Sequence, residues 1–176
     1  DGKECPYKHW STHFGEENSA FISKTKEYDY ESLKDGIQRF CDSQKMDAEM
    51  GRCIRIKDIL GFLQSDSGKR MQHCSLKHKL FKEQPFVFAK AAKEVYPEYD
   101  SEQEILVQGI MDAYFEENDE IVLIDYKTDH VKTEEELVKR YKKQLEIYSE
   151  SLEQMTGKKV KERILYSFCL GKEIFV

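Results

Sequence analysis

The feature that most constrains the fold is a pair of apolar runs separated by two turn-forming residues. Residues 105–117 and 121–127 are rich in Ile, Val, Leu, Tyr and Phe, and the dipeptide Asn118-Asp119 lies between them. A two-residue loop of Asn and Asp between such runs is a strong signal of a β-hairpin. The sequence therefore predicts two antiparallel strands joined by a tight turn.

The register of this hairpin predicts where two acidic side chains meet. If Glu117 faces Glu120 across the turn, Asp112 lies directly opposite Asp125. Directly opposed side chains share one face of the sheet, with Cβ atoms about 4.5–5.5 Å apart, and two carboxylates so close repel each other. A hard divalent cation with oxygen ligands would relieve that repulsion, so the pair indicates a metal site.

Lys127 extends this acidic pair. Because side chains alternate along a strand, Lys127 shares the face of Asp125, while Tyr126 points to the opposite face. Metal-assisted phosphodiester hydrolysis uses such a set of carboxylates and one cationic group. We expect the Lys127 ammonium to be exposed and to contribute little to stability. The alternative is that Asp112 is a polar residue at a strand edge and that Asp125 and Lys127 form a surface ion pair.

The rest of the chain divides into a helical part and a β-rich part. Apolar residues recur at helical spacing before residue 80, which predicts helices at residues 31–41, 54–63 and 69–79, with a turn or cap at 65–68. Strand patterns dominate afterwards, at residues 84–88, 160–168 and 174–176 besides the hairpin. We predict a single α/β domain over residues 1–176, with a mainly helical part at 1–80 and a catalytic core at 81–176.

A long amphipathic helix is predicted for residues 133–155. Thr133 and Glu136 have the spacing of a capping box at its start, and Gly157 marks its end. One stripe of this helix is apolar, and it carries the following side chains: Leu137, Tyr141, Gln144, Leu145, Tyr148 and Leu152.

Composition limits the class of protein. The chain has 176 residues, of which 39% are hydrophobic and 35% charged, as in globular proteins rather than disordered ones. No apolar run approaches the ~20 residues needed to cross a bilayer. The five cysteines are scattered without a Cys-x-x-Cys pair, so we expect reduced thiols in a cytoplasmic protein. The net charge of −6 means that any binding of nucleic acid would depend on local basic residues.

Several ordered segments resemble the RecB-like branch of the PD-(D/E)XK nuclease superfamily. These are GIMD at 109–112, VLIDYKTD at 122–129 and QLEIY at 144–148. The similarity is closest to the C-terminal nuclease domain of AddA-type helicase–nuclease subunits, whose Glu-x-Pro-Phe strand matches EQPF at 83–86. The resemblance implies a mixed central β-sheet flanked by helices, as in restriction endonucleases, and Mg²⁺-dependent cleavage of DNA, with Mn²⁺ as a substitute.

The resemblance also assigns roles to the hairpin residues. Asp112 and Asp125 would be metal ligands together with the backbone carbonyl of Tyr126, and Lys127 would be the catalytic lysine. The substrate would be single-stranded DNA at a double-strand break. In a longer protein ATP would serve only a helicase part, and the partner would be an AddB-type subunit.

Further residues are assigned by the resemblance with alternatives left open. Gln144 and Tyr148 match the Q-x-x-x-Y motif that contacts DNA or braces the site; spacing alone favours packing on the sheet. Glu83 is a weaker candidate, since a strand-end glutamate beside a proline is usually only exposed. A local phosphate-binding cluster, or an ordinary solvated face, is formed by Arg140, Lys142, Lys143, Lys158, Lys159, Lys161 and Arg163.

One departure from the family concerns its first motif, Gly-Thr-x-x-His. The nearest histidines are His9 and His13, neither of which follows Gly-Thr, and residues 15–21 contain no histidine. The departure supports an alternative function, a non-catalytic DNA-binding or scaffolding module that retains the nuclease fold. A restriction-type endonuclease with the same core is a further alternative.

Overall fold

Helices precede the sheet along the chain. The computed structural model describes residues 28–176 except residues 45, 97 and 99, so His9 and His13 lie outside the described residues. The first helices are α1 (Tyr30–Asp42), α2 (Ala48–Cys53), α3 (Ile56–Gln64) and α4 (Asp66–Ser75). They are followed by β1 (Leu80–Ala91), α5 (Ala92–Val95), β2 (Glu104–Glu117), β3 (Glu120–Lys127), α6 (Glu134–Thr156), β4 (Val160–Ser167) and β5 (Lys172–Phe175).

The sheet is mixed, as the resemblance implies. Its five strands lie in the order β1-β2-β3-β4-β5. The pairs β1–β2, β2–β3 and β4–β5 are antiparallel, whereas β3 and β4 are parallel. Parallel neighbours need a crossover connection, and helix α6 supplies it. The helix therefore lies beside the strand that carries Asp125 and Lys127.

Helices cover both faces of the sheet. On one face the N-terminal helices pack Ile59 and Phe62 against Ile124 and Tyr126 of β3. On the other face α6 packs Leu145 against β3 and its neighbours, in a second apolar cluster. Successive β3 residues alternate between these clusters, because side chains on a strand point to opposite faces. This three-layer arrangement confirms the predicted α/β class.

Several elements differ from their predicted bounds. Helix α4 begins at Asp66, since Ser65 caps it by accepting a hydrogen bond from the Gly68 N–H at 3.2 Å. Gly68 lies inside the helix where a Cβ would be 1.9 Å from the Phe62 carbonyl oxygen, so only glycine fits there. Strand β1 is longer than residues 84–88, and the short helices α2 and α5 were not predicted.

Helix α6 has the predicted ends. Thr133 caps it by accepting from the Glu136 N–H, and Gly157 ends it with a left-handed φ of 68°. The Glu136 carboxylate accepts from the Lys132 N–H rather than from that of Thr133, so the reciprocal half of the capping box is shifted by one residue. Among the described residues no helix combines the length and apolarity needed to cross a membrane.

An ionic cluster joins α4 to the turn end of the hairpin. Arg70 donates hydrogen bonds to both oxygens of Glu117, at 3.2 and 2.8 Å, and to both oxygens of Glu162, at 2.8 and 2.9 Å. Lys161 adds a 2.6 Å contact to Glu117. The cluster fixes the helical part against β2 and β4, at the opposite end of β3 from Lys127.

Candidate metal and nuclease site

The β2–β3 hairpin has the predicted register. Glu117 pairs with Glu120, and the ladder continues to Ala113 opposite Ile124. Asn118 and Asp119 have φ values of 54° and 65°, the left-handed conformation that two-residue hairpin turns require. The next position along the same register sets Asp112 across from Asp125.

At the end of the β2–β3 ladder, the Asp112 side chain rather than a backbone carbonyl accepts the next hydrogen bond. Its Oδ2 accepts a hydrogen bond from the Tyr126 N–H at 2.9 Å. Asp112 and Asp125 are buried, at 3% and 2% exposure. Buried carboxylates are rare unless they are paired or bind a metal, so two of them on adjacent strands make this a candidate functional site.

The backbone of Tyr126 faces the same side as the Asp112 carboxylate. The Lys127 carbonyl accepts from the Phe168 N–H at 2.9 Å, so the backbone polar groups of Lys127 point toward β4. Neighbouring residues of a strand direct these groups to opposite sides, and the Tyr126 N–H indeed points to Asp112. The Tyr126 carbonyl therefore also points toward β2.

These oxygen donors fit a hard divalent cation. Two buried carboxylates and one carbonyl oxygen are the ligand types that Mg²⁺ and Mn²⁺ prefer. Within the part of the chain that the structure describes, no group of three or more His, Cys, Asp or Glu side chains is placed to hold a metal. The carbonyl of Tyr126 and solvent would thus complete a coordination shell built on Asp112 and Asp125.

Strand β1 is distorted beside Asp112. Lys82 pairs with Ala113 and Gln84 with Met111, whereas Glu83 between them has a left-handed φ of 46°. That conformation is uncommon for a residue other than glycine and is typical of functional sites. The Glu83 side chain is exposed, and its place in the register lies next to that of Asp112.

Lys127 lies in a closed setting rather than the exposed one expected. Its side chain is 12% exposed, and its Nζ lies 2.5 Å from Asp125 Oδ2. The ammonium also donates to Gln144 Oε1 at 3.1 Å and lies 3.8 Å from the ring centroid of Tyr141. The expectation of a surface ammonium is wrong because α6 packs over the end of β3.

The Gln144 and Tyr148 pair connects the lysine to β2. Gln144 Nε2 donates to the Tyr148 hydroxyl at 2.5 Å, and that hydroxyl donates to the Ile110 carbonyl at 3.3 Å. Tyr148 is also buried and packs edge-on against Phe86, with ring centroids 5.3 Å apart. Tyr148 therefore packs on the sheet, and its hydroxyl joins Gln144 to β2, while a role in bracing the site stays a prediction.

Two residues beside the lysine were not assigned to the site from sequence. Tyr141 was placed only in the apolar stripe of α6, and Asp129 only within a matching segment. The Tyr141 hydroxyl donates to Asp129 Oδ1 at 2.8 Å. Burial and the hydrogen bond to Asp129 raise the pKa of Tyr141 to about 12. The signal available was the i,i+3 spacing of Tyr141 and Gln144, which places both on one helix face.

The predicted basic cluster is divided between the two ends of the sheet. Arg140 and Lys143 on α6 have side chains that are 51% and 54% exposed. Lys158 binds Glu116, and Lys161 binds Glu117, both at the hairpin-turn end. The seven residues therefore do not lie together, because β4 begins at the far end of β3 from Lys127, and phosphate binding by Arg140 and Lys143 stays a prediction.

Comparison with known proteins agrees with this geometry. Residues 23–173 match the family described as the PD-(D/E)XK nuclease superfamily. The chain belongs to this superfamily. Among its relatives, a protein of Thermoanaerobacter sp. (strain X514) that is named as one subunit of an ATP-dependent helicase/nuclease is 41% identical over 151 residues, which cover 83% of this chain and 12% of that protein.

A second relative gives the same result. The protein of the same name from Clostridium botulinum (strain Hall) is 37% identical over 148 residues, 82% of this chain and 11% of that protein. The chain thus spans about an eighth of the length of these relatives. It is a PD-(D/E)XK nuclease domain similar to part of these helicase/nuclease proteins.

Proposed function

We propose that this domain is a Mg²⁺-dependent deoxyribonuclease that hydrolyses phosphodiester bonds of single-stranded DNA. The observation that carries the proposal is the burial of Asp112 and Asp125 on adjacent strands, beside the enclosed ammonium of Lys127. Two buried acids and one cation on a hairpin are costly to a fold, and a phosphodiesterase site supplies a reason for them.

Asp112, Asp125 and the Tyr126 carbonyl would hold the cation. A bound Mg²⁺ polarises the phosphoryl group and lowers the pKa of a water ligand, and Mn²⁺ would substitute for it. Asp112 is held for this task by the Tyr126 N–H, at 2.9 Å. Asp125 is held by Lys127.

Lys127 would act on the scissile phosphate. Its ammonium is fixed by Asp125, Gln144 and the Tyr141 ring, so it is already oriented before the substrate arrives. A preoriented cation stabilises the charge that develops on phosphoryl oxygens without reorganisation during the reaction. Gln144 and Tyr148 would maintain this orientation through the Ile110 carbonyl.

The names of the relatives support a proposal for the cellular context. They are named as ATP-dependent helicase/nuclease subunits, and the matched region is a small part of them. We infer that this domain works within such a protein, with an AddB-type partner, in processing of double-strand breaks for recombinational repair in the cytoplasm. ATP would be used by helicase regions outside this chain.

The test is cleavage of an end-labelled single-stranded oligonucleotide with Mg²⁺, Mn²⁺ or chelator. Asp112→Asn and Asp125→Asn should abolish cleavage and weaken Mn²⁺ binding measured by calorimetry. Asp119→Asn is the matched control, because Asp119 lies in the turn of the same hairpin and is 89% exposed. DNA binding without metal-dependent cleavage in the unmodified chain would instead establish the non-catalytic module.

A further inference from the structure

The ring of Tyr141 forms one wall of the Lys127 site. The ammonium lies 3.8 Å from the ring centroid, well within the ~6 Å over which the negative face of an aromatic ring attracts a cation. Since the Lys127 side chain is 12% exposed, water competes weakly with this contact. Cation–π attraction is strongest in such desolvated settings.

Asp129 holds the ring in place. The Tyr141 hydroxyl donates to Asp129 Oδ1 at 2.8 Å, and Asp129 lies two residues after Lys127. The ring is thus anchored by α6 at its Cβ and by the segment after β3 at its hydroxyl. A tyrosine hydroxyl is protonated at neutral pH and can donate, and burial with the hydrogen bond to Asp129 raises the pKa of Tyr141 further, to about 12.

The contact between Tyr141 and the Lys127 ammonium matters because two cations would compete for the Asp125 carboxylate. The Lys127 ammonium and a divalent cation would both be attracted to the Asp125 carboxylate, and they would repel each other. Tyr141 and Gln144 are neutral groups that bind the ammonium from the α6 side. They give the ammonium a position that does not depend on Asp125.

We propose that Tyr141 is a positioning residue that holds the Lys127 ammonium in place for phosphodiester hydrolysis, with Asp129 fixing its ring. The inference rests on the proposed function, since it assigns the ammonium a task there. It concerns the face of the ring rather than its hydroxyl. Tyr141→Phe keeps that face, whereas Tyr141→Leu removes it.

The kinetic test compares these variants in single-turnover cleavage of a labelled single-stranded oligonucleotide with saturating Mg²⁺. The cleavage rate constant of Tyr141→Phe should stay within about threefold of that of the unmodified chain. That of Tyr141→Leu should fall by about 10- to 100-fold, which is the loss expected when a catalytic group is misplaced. DNA affinity, Mn²⁺ affinity and Tm should be nearly unchanged. If Tyr141→Leu lowers Tm by more than about 5 °C, Tyr141→Met takes its place.

Asp129→Ala provides a second comparison. It removes the same hydrogen bond as Tyr141→Phe and also the 3.4 Å ion pair with Arg140. The comparison is therefore made in the Arg140→Ala background, where both variants should have the same modest effect. A larger loss in Asp129→Ala than in Tyr141→Phe would overturn the role assigned to Asp129. An equal loss in Tyr141→Phe and Tyr141→Leu would overturn the role of the ring face.

A spectroscopic measurement separates the contact from the chemistry. Ring current from Tyr141 should shift the ε-methylene protons of Lys127 upfield in the unmodified chain and in Tyr141→Phe, but not in Tyr141→Leu. Lys127→Ala identifies the signal. If Lys127→Ala is inactive while Tyr141→Leu cleaves normally, the inference that Tyr141 positions Lys127 fails, but the proposed function is unaffected. If Lys127→Ala cleaves normally, the role proposed for Lys127 fails and the positioning inference fails with it, whatever the proton shifts show. The proposed function itself fails only if the unmodified chain shows no metal-dependent cleavage.

Discussion

The Asp112 carboxylate takes the place of a backbone carbonyl as the partner of the Tyr126 N–H, with Oδ2 2.9 Å from the nitrogen. Asp112 therefore has a structural task besides the proposed metal ligation. An asparagine can keep the hydrogen bond through its side-chain oxygen, whereas an alanine leaves a buried N–H without that acceptor, at a cost of about 1–3 kcal/mol.

This relationship gives the first prediction. In chelator, Asp112→Asn should melt at or above the temperature of the unmodified chain, because it keeps the hydrogen bond and removes one of two neighbouring negative charges. Asp112→Ala should melt lower. Thermal melts in chelator and in excess Mg²⁺ measure both effects. Equal destabilisation by the two substitutions would show that charge, not the hydrogen bond, holds Asp112.

Lys127→Ala should abolish cleavage and also destabilise the fold in chelator. The side chain is enclosed, and its removal leaves the Asp125 carboxylate without the cation 2.5 Å away. Breaking a buried pair from one side costs roughly 3 kcal/mol. Mg²⁺ should restore much of the lost Tm by binding the native state. A Tm that is unchanged in chelator would contradict this assignment of Lys127 as a buried partner.

DNA binding should depend on salt through the exposed cations of α6. Arg140 and Lys143 are half exposed at the lysine end of the site, in ion pairs of 3.4 and 3.7 Å with Asp129 and Glu146. Lys161, at the other end, is 19% exposed and lies 2.6 Å from Glu117. The Arg140→Ala/Lys143→Ala double variant should reduce the log–log slope of affinity against salt by about 1.4, the value for two single-strand phosphate contacts. Lys161→Ala is the control and should leave the slope unchanged. If instead Lys161→Ala reduces the slope and the double variant does not, DNA binds near the hairpin turn rather than along α6.

Acid should destabilise the fold through Glu117. Hydrogen bonds from Arg70 and then Lys161 lower the pKa of Glu117 from 4.5 to about 2. A carboxyl group whose pKa is lower in the folded state stabilises the fold above pH 4.5, and this contribution is lost as the pH falls toward 2. Arg70→Met should lower Tm at pH 7 and make its fall with acid shallower.

The control for this titration is Lys34→Met, which removes an exposed i,i+3 pair with Glu31 on α1. Exposed pairs contribute little, so the profile of Tm against pH should match that of the unmodified chain. If Arg70→Met shows as steep an acid fall as the unmodified chain, Glu117 is not a principal source of acid sensitivity.

In a strand valine is usually more stabilising than glycine, and the left-handed backbone at Glu83 should reverse this order. Glu83→Gly should be more stable than the β-branched Glu83→Val by about 1–2 kcal/mol, because both remove the carboxylate but only glycine adopts φ 46° without strain. Gln108, exposed on β2 and paired with Val87, is the control. There valine should be tolerated better than glycine. Denaturant unfolding of the Gly and Val variants at Glu83 and at Gln108 gives the order of stability at each position.

The hairpin could be predicted because its determinants are local. The dipeptide Asn118-Asp119 fixes the turn, and alternation along the strands then places Asp112 and Asp125 together. The seven basic residues, although near each other in sequence, do not lie together in the fold, for the complementary reason. Residues near each other in sequence, such as Lys143 and Lys161, are separated when a crossover helix runs the length of the sheet.

The setting of Lys127 depended on packing that no local pattern contains. A lysine at the end of a strand is usually exposed, and only the position of α6 encloses this one. The same packing brings Tyr141 over the ammonium. Aromatic residues in an apolar stripe are normally core residues, so sequence offered no reason to separate Tyr141 from its neighbours.

The order of elements along the chain has a consequence for synthesis on the ribosome. Phe62 packs edge-on against Tyr126, with ring centroids 5.1 Å apart, yet Tyr126 follows it by 64 residues. At about 5–20 residues per second, translation leaves the apolar side of the early helices without its sheet for roughly 3–13 s. During that interval the nascent helices offer a hydrophobic surface to chaperones, and that surface is fully covered only after strands β3 and β4 have emerged.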